Sequence, residues 1–474
     1  MKIIILGAGQ VGSSVAESLE SEANEITVVD TNTDLLQALQ DKLDLRTVVG
    51  NGASPDVLKE AGAEDAEMLI AVTTSDQTNL CACRIAKTLF NLPTRIARLR
   101  SADYVEYPQL LDDSNFAVDF SICPEQEVTE YIENLIEFPE ALQVLEFADG
   151  KVTLVGLRAF EGGPLVGHPI RDLRLHIPQV DARIVAIYRR DQAVAPDGDT
   201  VIESGDEVFC LAATEHIRRV MKEMRRLDRP VRRIMIAGGG NIGYRLAKTI
   251  EKNYDVKVVE HNRQRSQFLA THLARTLVLS GDATDEDLLE GENIEDMDMF
   301  LALTNDDENN IMAALLAKRM GARRVLALIN RRAYVDLVQA GAIDIAISPA
   351  MVSIGSLLRH VKTGDVATVH RLRRGAAEAL EVVAHGQAGK SKIVGKRVDE
   401  IALPAGVQAA AILRCSDLGE SAERANGRKS TYDQVLIAHH DTVIENDDHV
   451  ILFCVSRELV SKVEKLFQVG LEYF

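Results

Sequence analysis

Short, unbroken apolar runs alternate along this chain with stretches whose apolar residues recur every three or four positions. "IIIL" at 3–6 and "IMIA" at 234–237 are apolar throughout. Strands buried on both faces, as in a parallel sheet, read this way. Each run is followed by a glycine-rich turn and then by Val11, Val15 and Leu19, or by Ile242, Leu246 and Ile250. Spacing of i, i+4, i+8 lays one apolar stripe along a helix, fit to pack on a sheet. Further strand-like runs fall at 26–29, 46–49, 68–72 and 95–99, and again at 256–259, 276–279, 299–303 and 324–328. Helical stretches separate most of them, and strand–helix alternation of this kind predicts a doubly wound α/β sheet, here present twice.

The two sets are copies. Gly7, Gly9 and Gly12 recur as Gly238, Gly240 and Gly243. "ITVVD" ending at Asp30 recurs as "VKVVE" ending at Glu260, "MLIAVTTSDQTN" as "MFLALTNDDENN", and "AVDFSICP" as "AIDIAISP". The segments after each set also correspond: "LVGHPIRDL" with "IVGKRVDEI", and "DTVIESGDEVFCL" with "DTVIENDDHVILF". The expected layout is therefore A–B–A′–B′: α/β units at 1–140 and 230–366, and small α/β lobes at 141–229 and 367–474. The basic stretch "RRLDRPVRR" at 225–233 reads as a solvated linker.

A chain of 474 residues that is 46 % hydrophobic can bury several cores of ordinary size. No apolar run approaches the roughly 18 residues that span a bilayer. The opening "MKIIILGAG" lacks the pattern of a secretory signal, so a cytosolic location is expected. Of the net charge of −19, most lies in the first unit, where residues 1–142 carry 9 Lys and Arg against 25 Asp and Glu. That surface argues against nucleic acid or anionic lipid as a primary partner. Six cysteines fit thiols of a reducing compartment. Cys81 and Cys83 fall on different faces of a helix-like stretch and do not suggest a metal site. His439 and His440, adjacent in a strand-like run, are expected to face opposite ways.

In a G-x-G-x-x-G loop between strand and helix, the first glycine makes the turn. The second admits a diphosphate against the backbone, and the third lets helix and strand close up. The helix N-terminus supplies N–H groups and a positive dipole end. A carboxylate ending the second strand, Asp30 or Glu260, suits the ribose hydroxyls and disfavours a 2′-phosphate, so NAD(H) is preferred over NADP(H). ATP, ADP or AMP would fit the same groups. The candidate contacts are Gly7, Gly9, Gly12, Asp30, Asn51, Thr73, Thr74 and Arg98 in the first unit. In the second they are Gly238, Gly240, Gly243, Glu260, Asp282, Thr304 and Asn305. Asn51, Thr73, Thr74, Asp282, Thr304 and Asn305 suit turn and cap chemistry equally. Ser75–Asp76 and Asp306–Asp307 read as caps of the next helix. Arg98 could reach phosphate, whereas the aligned residue of the second unit is Leu328, so the two sites are not expected to be equivalent.

Tandem units carrying "GAGQVG", a strand-end acid, "GNGAS", "AVTTSDQTN" and "RIARLR", each followed by a small lobe, resemble the tandem KTN/RCK family (regulators of potassium conductance) over essentially the whole chain. The resemblance implies two Rossmann-like domains, each followed by an RCK C-terminal lobe. It implies a cytosolic subunit, peripheral to the inner face of the cell membrane, that assembles as a homotetrameric ring on a Trk-type potassium-translocating subunit. It also implies binding of NAD(H), ATP and ADP at the residues above, together with Ala8, Gln10 and Val11 of the first loop and Gly239, Asn241 and Ile242 of the second, with control of ion flux by nucleotide-driven rearrangement. The competing reading is an NAD-dependent oxidoreductase. That chemistry needs an acid–base group beside the nicotinamide. No His–Asp, Tyr–Lys or Cys–His arrangement is recognisable, and His168 and His176 look isolated, so a non-enzymatic switch is the expectation.

Overall fold

The computed structural model describes residues 1–20, 24–101, 104, 107–190, 192–224, 230–331, 334, 338, 343–361, 366–372, 377–386, 391–414 and 434–467. Cys415 and the linker residues before Pro230 lie outside them. The chain divides into two compact units, one of residues 1–130 with 232–357, the other of 131–231 with 358–474.

In the first α/β copy, β1 (Lys2–Leu6), β2 (Glu25–Asp30), β3 (Arg46–Val49), β4 (Met68–Ala71), β5 (Thr94–Arg98) and β6 (Phe120–Ile122) alternate with α1 (Gln10–Glu20), α2 (Thr33–Gln40), α3 (Pro55–Glu60), α4 (Asp76–Phe90) and α5 (Pro124–Glu137). All the pairings are parallel, in the order β3-β2-β1-β4-β5-β6. That order reverses at the β1/β4 junction, the switch point of a doubly wound sheet. The apolar runs are buried as their composition requires: Ile3, Ile4, Ile5 and Leu6 are within 1 % of full burial. Each such side chain stabilises by about 1.5–3 kcal/mol. Val11, Val15 and Leu19 form the buried face of α1.

The lobe after it has β7 (Ala141–Phe147), β8 (Val152–Arg158), β9 (Ala182–Arg189), β10 (Gln192–Val194) and β11 (Glu207–Ala213), with α6 (Leu173–His176) and α7 (Ile217–Met224). Its sheet is antiparallel, ordered β10-β9-β11-β8-β7.

The second parallel sheet repeats the first: β12 (Arg233–Ala237), β13 (Asp255–Glu260), β14 (Leu277–Ser280), β15 (Met299–Ala302), β16 (Arg324–Leu328) and β17 (Ile345–Ile347), ordered β14-β13-β12-β15-β16-β17. Its helices are α8 (Asn241–Ile250), α9 (Arg263–His272), α10 (Glu286–Gly291), α11 (Asp307–Arg319) and α12 (Pro349–Val361). On α8, Leu246 and Ile250 are buried while Ile242 is half-buried.

The second lobe has β18 (Val366–Leu372), β19 (Ala377–Ala384), β20 (Val407–Arg414), β21 (Gln434–Ile437) and β22 (Asp448–Cys454), then α13 (Val460–Phe467). Its order, β18-β19-β22-β20-β21, is that of the first lobe read from the other edge. The two lobes share a core in which Phe147, Phe209, Leu372 and Phe453 meet, with the Phe209 and Phe453 rings 6.2 Å apart. The repeated "DTVIE" segments have a structural use. Asp206 and Asp448, each 1 % exposed, accept charge-assisted bonds at 2.8 Å from Nη2 of Arg189 and Arg414. The same nitrogens donate to the carbonyls of Val201 and Val443 at 2.8 and 2.9 Å.

Two expectations need correction here. His439 and His440 lie in the turn after β21, not within a strand. His439 Nε2 meets Asp181 of the first lobe at 2.9 Å, a contact between the lobes. His168 and His176 are not isolated either. Their rings are 6.3 Å apart, at the two ends of a segment whose residues 170–176 are helical, and His176 Nδ1 is 2.8 Å from Glu223 Oε2. Cys81 is exposed and Cys83 buried on α4; burial pushes the Cys83 thiol up to about 12.

Candidate nucleotide sites at the two glycine loops

Each glycine loop is forced by close backbone contacts. Gly7 and Gly238 turn with φ of +103° and +100°, a region that L side chains avoid. A Cβ on Gly12 would lie 1.8 Å from the Gly7 carbonyl oxygen, and one on Gly243 2.0 Å from that of Gly238. Helix and strand therefore touch where the third glycine is. Gly9 and Gly240 differ: a Cβ there would meet no protein atom within 4 Å. The middle glycine faces open space at the helix N-terminus, the cradle a diphosphate needs. Gln10 and Asn241 begin α1 and α8, followed by Val11 and Ile242.

The strand-end carboxylates brace these loops. Asp30 Oδ2 accepts the Ala8 N–H at 2.6 Å, and Oδ1 accepts the Asn32 N–H at 2.8 Å. Glu260 repeats this with Gly239 N–H and Asn262 N–H, both at 2.8 Å. A carboxylate has about four acceptor positions, so each retains capacity for a ribose hydroxyl. Asp30 is half-exposed, whereas Glu260 is 6 % exposed and lies 3.3 Å from His261 Nδ1.

Across the switch point, Thr73 packs against Gly7, and Thr304 against Gly238. Both threonines are held by a residue that the pattern alone did not single out. Asn79 Oδ1 accepts from the Thr73 N–H and hydroxyl at 3.0 and 2.7 Å, and its Nδ2 donates to the Arg98 carbonyl at 2.9 Å. Asn310 does the same for Thr304, at 2.9 and 2.6 Å, and for the Leu328 carbonyl at 2.8 Å. Both asparagines are fully buried. The signal was available: an Asn six residues after the Thr in each copy.

Ser75 and Asp306 cap α4 and α11 through Thr78 and Asn309 N–H groups. The adjoining Asp76 and Asp307 hold the loop after the fifth strand, accepting from the N–H groups of Arg100 and Ser101, and of Asn330 and Arg331. Thr74 and Asn305 lie between these anchors. Asn51 and Asp282 fold back on their own chains, accepting from Ala53 N–H at 2.9 Å and Thr284 N–H at 2.8 Å. The Thr284 N–H and hydroxyl, with His261 beside them, hold the Asp282 carboxyl below its usual range.

The copies part company at the fifth strand. Arg98 Nη2 pairs with Glu125 at 3.1 Å, and Arg100 Nε pairs with the same oxygen at 3.0 Å. Among the described residues, Arg98 Nε and Glu125 Oε2 are buried without a hydrogen-bond partner. In the second copy the three positions are Leu328, Asn330 and Ala350, and the charges are gone together. A cation stands elsewhere. Arg265 on α9 donates from Nε to the Gly239 carbonyl at 2.7 Å and from Nη2 to the Gly240 carbonyl at 3.3 Å. Its guanidinium lies over the Phe268 and Tyr244 rings, 4.6 and 5.6 Å from their centroids. The aligned residue at the first loop is Leu35. Arg265 was not among the candidates read from sequence, because no glycine or strand-end pattern points to the first turn of α9.

Open middle glycines, bracing carboxylates and an orphaned buried guanidinium nitrogen fit a nucleotide diphosphate. Fold and loops together define a tandem Rossmann-type protein with fingerprint glycine loops. The TrkA-N domain model matches residues 3–114 and 234–349, and the TrkA-C domain model residues 154–225. The Trk system potassium uptake protein TrkA of Halomonas elongata is 55 % identical over 474 residues, 100 % of each chain. That of Vibrio alginolyticus is 54 % identical over 469 residues, 99 % of each. The chain belongs to the TrkA family. Among solved structures, the GsuK channel shares the fold at a TM-score of 0.61 and 20 % identity, over 98 % of this chain and 78 % of that one. The GsuK channel bound to NAD gives 0.59 and 19 %, with the same coverage.

Proposed function

We propose that this chain is the cytosolic, peripheral regulatory subunit of a Trk-type potassium uptake system, reading NAD(H), ATP and ADP at its two glycine loops. Membership of the TrkA family, whose relatives are named as potassium uptake proteins, supports the role. The single observation that carries the nucleotide part is the open cradle at Gly9 and Gly240, each beside a carboxylate-braced loop. Gly7 to Gly12 with Gly238 to Gly243 would take the diphosphate, Asp30 and Glu260 the ribose, and Arg98 the phosphate charge at the first site. Thr73, Thr74, Thr304 and Asn305 line the switch point, while Asn51 and Asp282 shape the loops after the third strand.

Four copies in a ring would hold eight glycine loops against the membrane partner. Nucleotide that favours one arrangement shifts the ring toward it, and differential affinity worth about 1–3 kcal/mol per coupled site is the ordinary scale of such control. Among the described residues no helix is long and apolar enough to cross a membrane. Ion flux is therefore assigned to a partner. The oxidoreductase reading is set aside because the relatives that cover the whole chain are named as potassium uptake proteins, with regulation taken as the site's use.

Affinity purification of the tagged chain from native membranes tests this reading. Co-recovery of a multi-span potassium-translocating protein is expected. Recovery of the chain alone, with hydride-transfer turnover on a metabolite, would overturn it.

A further inference from the structure

We infer that Arg265 is the phosphate-binding residue of the second glycine loop, taking there the part that the strand-five arginine plays at the first. This rests on the nucleotide reading above and names how the second site recognises its ligand, an adenine nucleotide carrying a diphosphate.

Three observations converge. First, the second site has lost every charge of the Arg98–Glu125–Arg100 cluster, since Leu328, Ala350 and Asn330 stand in their places. A diphosphate there would find no counterpart of Arg98 or Arg100, and Arg331, the cation that follows β16, is paired with Glu308 at 2.6 Å. Second, the helix after the strand-end acid is reversed in charge. The first copy has Asp34 and no cation on α2, whereas α9 has Arg263 and Arg265 and no acid. Third, the Arg265 guanidinium is aimed at the loop itself. It hydrogen-bonds the carbonyls of Gly239 and Gly240, at the open cradle. Among the described residues Nη1 has no hydrogen-bond partner and remains available to a phosphate oxygen.

The aromatic support fixes that orientation. The guanidinium lies over the Phe268 ring at 4.6 Å, the His272 ring stacks on Phe268 at 4.0 Å, and Tyr244 meets Phe268 edge-on at 5.4 Å. A guanidinium packed on aromatic faces is pre-organised, so it loses little side-chain freedom when an anion binds. Its planar fork suits phosphate oxygens. A lysine at this position would supply charge without the fork.

The test isolates the second site with Gly9→Leu, whose Cβ would meet no protein atom within 4 Å and whose side chain enters the first cradle. In that background, calorimetry compares ADP with adenosine for Arg265, Arg265→Gln and Arg265→Lys. Arg265→Gln keeps a donor for the loop carbonyls and removes the charge. The expected result is ADP weakened about tenfold or more by Arg265→Gln, less by Arg265→Lys, with adenosine changed less than about twofold. ADP affinity unchanged or improved would overturn the proposal, the latter marking the guanidinium as a plug over the loop. Equal loss of ADP and adenosine would also overturn it, since Arg265 would then act only through loop structure. If the Gly9→Leu protein with Arg265 intact binds neither ADP nor NADH, the nucleotide reading of this site fails, and this proposal with it.

Discussion

At the first glycine loop a methyl stands at Ala8 and the bracing carboxylate is Asp30. At the second, Gly239 has no methyl and the carboxylate is Glu260. The added methylene of Glu260 and the buried Leu269 take the room of the missing methyl. A Cβ on Gly239 would come within 2.1 Å of Leu269 Cδ1 and 3.2 Å of Glu260 Oε2. The same backbone turn is thus reached with one carbon moved from loop to strand end. The cost falls on access, since Asp30 is half-exposed and Glu260 buried. Charge moves in parallel, from the strand-five cluster of the first copy to α9 of the second. Duplication has kept the backbone frame and exchanged the side chains around it.

The largest effect should come where the copies do not differ. Gly12→Val and Gly243→Val drive a side chain into a carbonyl held by the turn after β1 or β12, and each should destabilise by about 3 kcal/mol or more. Thermal melting or protease sensitivity would show it; a tolerated valine at either position would break the claim that helix–strand contact dictates the third glycine. Asn79→Ala and Asn310→Ala each leave buried groups at Thr73 or Thr304 unpaired, at about 1–3 kcal/mol. Unequal effects would mean that the tie is not shared. Gly239→Ala should cost about 1–3 kcal/mol by overpacking, whereas Ala8→Gly at the partner loop should cost under about 1 kcal/mol. Equal small costs would contradict the exchanged-carbon account.

The smallest effect concerns Asp282. Its carboxyl is held below the usual range by the Thr284 N–H first, then by the Thr284 hydroxyl and His261. A depressed folded-state pKa gives stability that is present above the unfolded value, near about 3.9, and lost as pH falls through the folded one. The group is exposed, so solvent screening reduces this to roughly a few tenths of a kcal/mol. Asp282→Asn should melt slightly lower than the parent at neutral pH and indistinguishably in strong acid, below the folded-state pKa. A larger deficit in acid than at neutral pH would reverse the sign.

Much of this fold was legible because it follows from backbone constraints that residue types report directly. Positive φ at Gly7 and Gly238, close contact at Gly12 and Gly243, and doubly buried strands as apolar runs each leave a local mark. Ser75 and Asp306 as caps were likewise readable. Arg265 and the Glu125 partner of Arg98 were not, because each meets its target through the tertiary fold, 26 and 27 residues away in the chain. Asn79 and Asn310 recur at the same place in both copies, but their ties to the Arg98 and Leu328 carbonyls come through the tertiary fold. The approach of His168 to His176, and of His439 to Asp181, depends on a short helical segment and on lobe pairing that no periodicity encodes.

Stoichiometric binding of adenine nucleotide to the purified full chain tests the central claim most directly. With NADH and with ADP as probes, calorimetry should find two sites per chain of unequal affinity. Gly9→Leu should abolish one and Gly240→Leu the other, without lowering the melting temperature of the unliganded protein. No binding, or binding that survives both substitutions together, would contradict the account.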